Sequence, residues 1–446
     1  MTTASSHWIR RLKPRISHLQ SNKVETKPRE KIAPCSKKKK EGMRRRTILD
    51  NFFLGILAIV LSAVPVMVFS FVSSAKPATA ITNSALSVNM ESRLRGSLWG
   101  FFAGDALAAP THWYYGGAAQ VKQDYGRNGI TDYVKPRTNL AGSILNKSNL
   151  NGGGRGSYSK TSEGISIIGD VINHGKREYW DPSKQIHYHA TLQKGENTLE
   201  AQLARVLMKS IVACGGTFNA DHFRDAYISF MTTPGSHNDT YASTCHRMFF
   251  ANLKLRKLDP KNCPDNDMHN VDTIDGLVLP TITALAMTAQ GESDDKIAEV
   301  AAQTAAVTRR SDTLEKMSRF WSQIVKASLV DETEAILTQD LTVISQRLGF
   351  CRPNDRSPDE MTACYISQSF PPTINMIAKY QNNCWDGLLA NANIGGENVH
   401  RGSILGAVLG ARAGLPNLPA ILSEGLFDKS SLEQEIDDFV NAVMKK

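Results

Sequence analysis

No Cys-x-x-Cys pair occurs in this 446-residue chain, although it holds seven cysteines. Cys35, Cys214, Cys245, Cys263, Cys351, Cys364 and Cys384 are scattered and odd in number, which excludes a small disulfide scaffold and a zinc ribbon. Alternating apolar and polar runs are scarce, and no repeat of fixed period is present, so neither a β-sandwich nor a solenoid is expected. Excess positive charge is missing from most of the chain. The formal net charge is +9, yet residues 1–46 alone hold 15 Lys or Arg against 3 Glu, so the rest is slightly acidic. The overall pI of about 9.1 therefore does not point to a nucleic-acid-binding body.

Ionisable side chains are absent from Asn51 to Ala75, and Phe52–Phe71 is dense in Leu, Ile, Val, Phe and Ala. About 20 apolar residues in a helix span the roughly 30 Å of bilayer hydrocarbon. Arg44, Arg45 and Arg46 flank one side and only Lys76 the other, so the positive-inside rule places the arm in the cytosol. The expected organisation is a disordered basic arm at 1–46, a signal-anchor or transmembrane segment at 47–75, a linker at 76–89 and a body at 90–446. The body then lies on the non-cytosolic side of a single-pass membrane protein. The alternative is a leader cleaved near the small residues 73–80, addressing the chain to a secretory route or an organelle.

What the body does contain is helical periodicity. In Thr198–Cys214, the residues Leu199, Leu203, Val206, Leu207 and Ile211 share one face. Ser92–Ala109, Ala220–Met231, Gly276–Ala289, Asp294–Thr308, Ser311–Leu329 and Asp331–Leu348 are further predicted helices. Gly402, Gly406, Gly410 and Gly414 recur every four residues. Each glycine costs about 1 kcal/mol in a helix relative to alanine, so a row of them predicts a second backbone in close approach. The Gly-, Ser- and Asn-rich stretch 116–185 predicts a long loop region with limited structure. The fold class is all-α, built as one large domain.

Four polar clusters interrupt the apolar helices. They are Gly104-Asp105 through His112-Trp113, His187-Tyr188-His189 with Gly195-Glu196-Asn197-Thr198, Ser236-His237-Asn238-Asp239-Thr240 with Cys245-His246-Arg247 behind it, and Gly395-Gly396-Glu397-Asn398-Val399-His400-Arg401. The second and fourth place Glu-Asn at a helix N-terminus, where backbone N–H groups and the dipole favour anions.

These residues carry a resemblance. GSLWGFFAGDALAAP resembles the opening helix of ADP-ribosylglycohydrolases, GENT is similar to the family's T-D-D-T segment, and GGENVHRGSILGAVLGARAG is similar to its C-terminal G-G-D-x-D-T segment. HYHATLQKGENT, TTPGSHNDTYASTCHR, TACYISQSFPPTI and ANANIGGENVHRG resemble the branch that includes J1-crystallin. The resemblance implies a compact all-helical domain with a central cleft. In the family this cleft holds two magnesium ions and hydrolyses the bond between ADP-ribose and a modified side chain. It implies catalytic roles for Asp105, His112, Glu196 and Glu397. It implies substrate contacts for His189, Asn197, Asn238, Asp239, Asn398, His400 and Arg401. Metal ligation falls to Glu196, Asn197, Asp239 and Glu397, holding one or two Mg2+ ions or another divalent metal. The implied partner is an ADP-ribose-containing small molecule or an ADP-ribosylated protein, with the membrane met through residues 47–75 and no nucleic acid at the body.

The chain departs from the family pattern at the ligands. Asn197 stands where the T-D-D-T segment has its second acid, Val399 where the C-terminal segment has its second Asp, and His112 where the family has a glutamate. His112, His237, His246 and His400 lie in or near the clusters, which moves the chemistry toward imidazole and toward zinc-type metals. A non-catalytic, crystallin-like binding or structural protein is the competing expectation.

Overall fold

The computed structural model describes residues 83–152, 164–264, 270–330 and 358–445. Thirteen α-helices are present among them: α1 Asn83–Ala108, α2 Gly117–Tyr125, α3 Leu199–Ala213, α4 Ala220–Thr232, α5 Thr244–Lys254, α6 Val278–Ala289, α7 Asp294–Thr308, α8 Asp312–Val330, α9 Ile366–Tyr380, α10 Cys384–Ile394, α11 Val399–Ala413, α12 Ile421–Glu424 and α13 Lys429–Met444. Among the described residues the only β-type pairings are isolated bridges.

The fold is organised around the antiparallel pair α1 and α11. Gly96 faces Gly410, Gly100 faces Gly406 and Gly104 faces Gly402, and a Cβ added at any of the six would meet the opposite backbone. The expected close approach is therefore met by a matching glycine row in GSLWGFFAG. Gly414, the fourth of the predicted row, instead ends α11 at φ +68°. Around this seam α1 buries Leu94, Leu98, Phe101, Phe102 and Leu107, and α11 buries Ile404, Leu405, Val408 and Leu409. Helix α10 packs on both, α6, α7 and α8 form a second layer that reaches α11, and α13 closes over α3. Local signals set several helix starts. The Asn219 side chain accepts from the N–H groups of Asp221 and His222 at α4, and that of Asn383 from Asp386 at α10.

The limited structure expected in 116–185 comprises α2 and, among the described residues, short turns that include Leu145–Lys147 and Arg177–Trp180. Some expectations are corrected. Helix α1 starts at Asn83, inside the stretch read as linker. The predicted helix 331–348 lies outside the described residues. The expected single-pass membrane placement is also corrected: among the described residues no helix is long and apolar enough to cross a membrane. The longest, α1, carries Glu91, Arg93, Arg95 and Asp105. The arm 1–46 and the segment 47–75 lie outside the described residues.

Candidate active site

The N-terminus of α3 collects two carboxylates from distant parts of the chain. Asp105, near the end of α1, accepts from the Thr198 N–H at 2.8 Å, the Thr198 hydroxyl at 2.6 Å and Asn197 Nδ2 at 2.9 Å. Asp239 Oδ2 accepts from the Leu199 N–H at 2.8 Å. Both thus meet free N–H groups and the positive end of the helix dipole. Burial raises the Asp105 carboxyl above its ordinary range in spite of these donors. Burial pushes Asp239 the same way, but His189 and the backbone N–H groups of Leu199 and Tyr241 hold it below that range.

From Asp239 a chain of buried titratable groups runs across the domain. His189 Nδ1 lies 2.8 Å from Asp239 Oδ1, and His189 Nε2 lies 2.7 Å from His112 Nδ1. His112 Nε2 lies 3.2 Å from Glu397 Oε2, and His400 Nδ1 lies 2.6 Å from Glu397 Oε1. All five residues are at most 2% exposed. Burial lowers the His112 imidazole to about 4, against the pull of Glu397. Burial works against charge on His400 too, yet Glu397 raises it to about 10. Glu397 itself is held well below the carboxylate range by His400 and His112, which outweigh its burial.

Glu397 owes its position to the two residues before it. Gly395 and Gly396 both take left-handed φ values, +67° and +65°, where a Cβ would meet Tyr114 and the Thr362 carbonyl. Gly396 exchanges backbone hydrogen bonds with the 113–114 segment, and the Glu397 N–H donates to Thr362 O at 2.9 Å. Trp113, bonded to Gly396 O, has φ 61°, a strained value for a bulky residue.

Glu397 and His400 open on a pocket of about 620 Å³. Trp113, Tyr115, Tyr188 and Tyr241 wall it, and Lys147, Arg247 and Asp275 also line it. Asp275 is 6% exposed; one of its oxygens accepts from Arg309 at 2.9 Å, while Oδ1 has no hydrogen-bond partner.

Not every expected site residue reaches this pocket. Glu196 and Asn238 bond to each other at 3.2 Å and, with Asn197, line a separate pocket of about 440 Å³. Asn398 donates to Thr111 Oγ1 at 2.8 Å. Arg401, fully buried, pairs with neither Glu196 nor Glu397. It donates to Asn391 Oδ1 at 2.8 Å and to Glu360 O and Thr362 Oγ1 at 3.1 Å, so it braces the loop behind Glu397. His189 stands one imidazole behind His112. Sequence reasoning gave no role to Glu200, buried on α3. It accepts from His246 Nε2 at 2.8 Å and from Ser243 at 2.9 Å, while His246 Nδ1 meets the Tyr227 hydroxyl at 2.8 Å. Nor did it assign the aromatic walls or Asp275. The available signal for Glu200 was a carboxylate directly beside Leu199 and Ala201 in the first turn of an amphipathic helix.

These features define a helical domain whose buried carboxylate–imidazole array opens on one aromatic-walled pocket. Residues 86–446 match the ADP-ribosylglycohydrolase family profile, and the chain belongs to that family. A solved structure described as an ADP-ribosylglycohydrolase-related protein complex is similar at a TM-score of 0.49 and 16% identity, over 80% of this chain and 100% of that chain. No curated protein matches the chain.

The magnesium pair that the family resemblance implies does not fit these donors. Magnesium requires a near-octahedral set of oxygens. Asn197 turns its Nδ2 to Phe102 O and Asp105, both Asp239 oxygens are taken by protein donors, and Glu196 lines the other pocket. Instead, donor atoms of His112, Glu397 and His400 lie within 4.8 Å of one another and could hold a metal.

Proposed function

We propose that the pocket above Glu397 hydrolyses an ADP-ribosyl, or related ribosyl, glycosidic bond. The observation that carries this reading is an ionised, fully buried carboxylate fixed from both sides by imidazoles beneath aromatic walls. Cleavage at an anomeric carbon passes through an oxocarbenium-like state whose positive charge a fixed carboxylate stabilises. Glu397 supplies that charge and takes one proton from the water whose hydroxyl adds to the anomeric carbon; the bond from that carbon to the leaving group breaks, and the leaving group takes up a proton from a second water, to which Glu397 then returns its own. His112 and His400 hold Glu397 in place. The rings of Trp113, Tyr115, Tyr188 and Tyr241 suit a stacked base, and Lys147 with Arg247 suits a diphosphate.

The test is release of free ADP-ribose from an ADP-ribosylated protein and from small ADP-ribosyl conjugates. The purified chain should release it, and Glu397→Gln should lower the rate by about 10²–10⁴-fold, the range for a lost general base. A wild-type chain that binds no ADP-ribose and turns over none of these substrates would overturn the reading.

A second reading, a non-catalytic protein of the crystallin-like branch, is favoured by one observation. The carboxylates of Asp105 and Asp239 are filled by protein donors, as expected of capping groups.

A further inference from the structure

We infer that His112, Glu397 and His400 form a mononuclear site for a zinc-class divalent cation, in place of a magnesium pair. The inference rests on the array itself and does not require the proposed reaction. Two imidazole nitrogens and one carboxylate oxygen are a donor set of transition-metal character, with an open position where the site meets a pocket. Here Glu397 and His400 both line the pocket, so a water or substrate oxygen can complete the coordination.

Two features support the assignment. The first is spacing. With metal–ligand bonds near 2.1 Å, adjacent donors lie about 3.0–3.4 Å apart; His112 Nε2 to Glu397 Oε2 is 3.2 Å, and the donor atoms of all three residues lie within 4.8 Å of one another. The second is the support behind the ligands. The His189–Asp239 pair fixes the His112 ring and its tautomer, the role outer hydrogen bonds play at metal-bound histidines. Asp275 adds a buried carboxylate oxygen without a partner on the wall of the same pocket.

The full-length chain, stripped with a chelator and checked for its fold by circular dichroism, is titrated separately with Zn2+, Co2+ and Mg2+. We expect one Zn2+ or Co2+ per chain, and Zn-edge X-ray absorption showing two imidazole nitrogens with oxygen and no sulfur. His112→Gln should lose zinc affinity by more than 100-fold, and Asp239→Asn, behind the ligands, by about 10–100-fold. If a variant does not fold, the absorption spectrum of the wild type decides alone. A folded wild type that takes up no stoichiometric Zn2+ or Co2+, a sulfur-ligated zinc, or tight uptake of two Mg2+ would each overturn the assignment. Zinc uptake without ADP-ribose release would sink the proposed hydrolysis and leave the metal site standing; release by a folded chain that takes up no stoichiometric Zn2+ or Co2+ would do the reverse.

Discussion

Each oxygen of Glu397 faces one imidazole, Oε1 toward His400 and Oε2 toward His112. The hydrolase reading therefore makes His400→Phe a sharper test than removal of the acid. The carboxylate stays but loses its orientation, so kcat should fall at least tenfold with KM for an ADP-ribosyl substrate little changed. Of the four acids to which the resemblance gave catalytic, substrate or metal roles, Asp105 and Asp239 share the N-terminus of α3, Asp239 reaches Glu397 through two histidines, and Glu196 turns aside. That last displacement was not legible because it is set by a distant contact. Gly195, at φ +71°, packs on the Gly425 backbone and accepts from the Phe427 N–H, which draws the segment toward α13. The residue types and cluster positions were readable; the direction each side chain takes from a loop was not.

Helices show the same division. The periodic segments at α3, α4, α7 and α8 were legible within a few residues because one face of each meets a core. Helix α9 escaped, since Pro371 and Pro372 in its middle argue against a helix that packing nevertheless imposes. The α1–α11 seam was half legible: one glycine row announced a close approach, while its partner row lay concealed among aromatics. Gly406→Ala places a methyl against the Gly100 carbonyl, and rigid backbone on both sides leaves it nowhere to go. We predict a loss of at least about 1–3 kcal/mol in denaturant unfolding, the range for core overpacking, and a similar loss for Gly100→Ala. The contact between α3 and α5 predicts a pH dependence. Burial would raise Glu200, but His246 holds it down to about 2, below its ordinary 4.5. Burial would lower His246, but Cys245 and Glu200 carry it well above 6.5. The carboxylate contributes fully above pH 4.5 and fades as pH falls toward 2; the imidazolium contributes fully below pH 6.5 and fades as pH rises through its raised value. The Tm difference between wild type and Glu200→Gln should thus be widest between pH 4.5 and 6.5 and narrow on both sides; a flat difference from pH 3 to 9 would contradict the pairing.

Over the whole domain, the site joins segments from opposite ends of the sequence. His112 follows α1, His189 precedes α3, Asp239 lies between α4 and α5, and Glu397 lies just before α11, so any ligand held among them braces the global fold. Zinc at about 100 times its Kd should stabilise the chain by about 2.7 kcal/mol against urea, with the gain absent in His112→Gln. The glycine seam carries a consequence for biosynthesis. Gly104 and Gly402 are about 300 positions apart, and a ribosome adding roughly 5–20 residues per second needs on the order of 15–60 s to bridge them. Throughout that interval the newborn α1 has no partner for its glycine groove, and Phe101, Phe102 and Leu107 lack much of their final cover. Nascent chains arrested before codon 399 should accordingly be held by chaperones or degraded, whereas chains released past codon 414 should close the seam and resist protease.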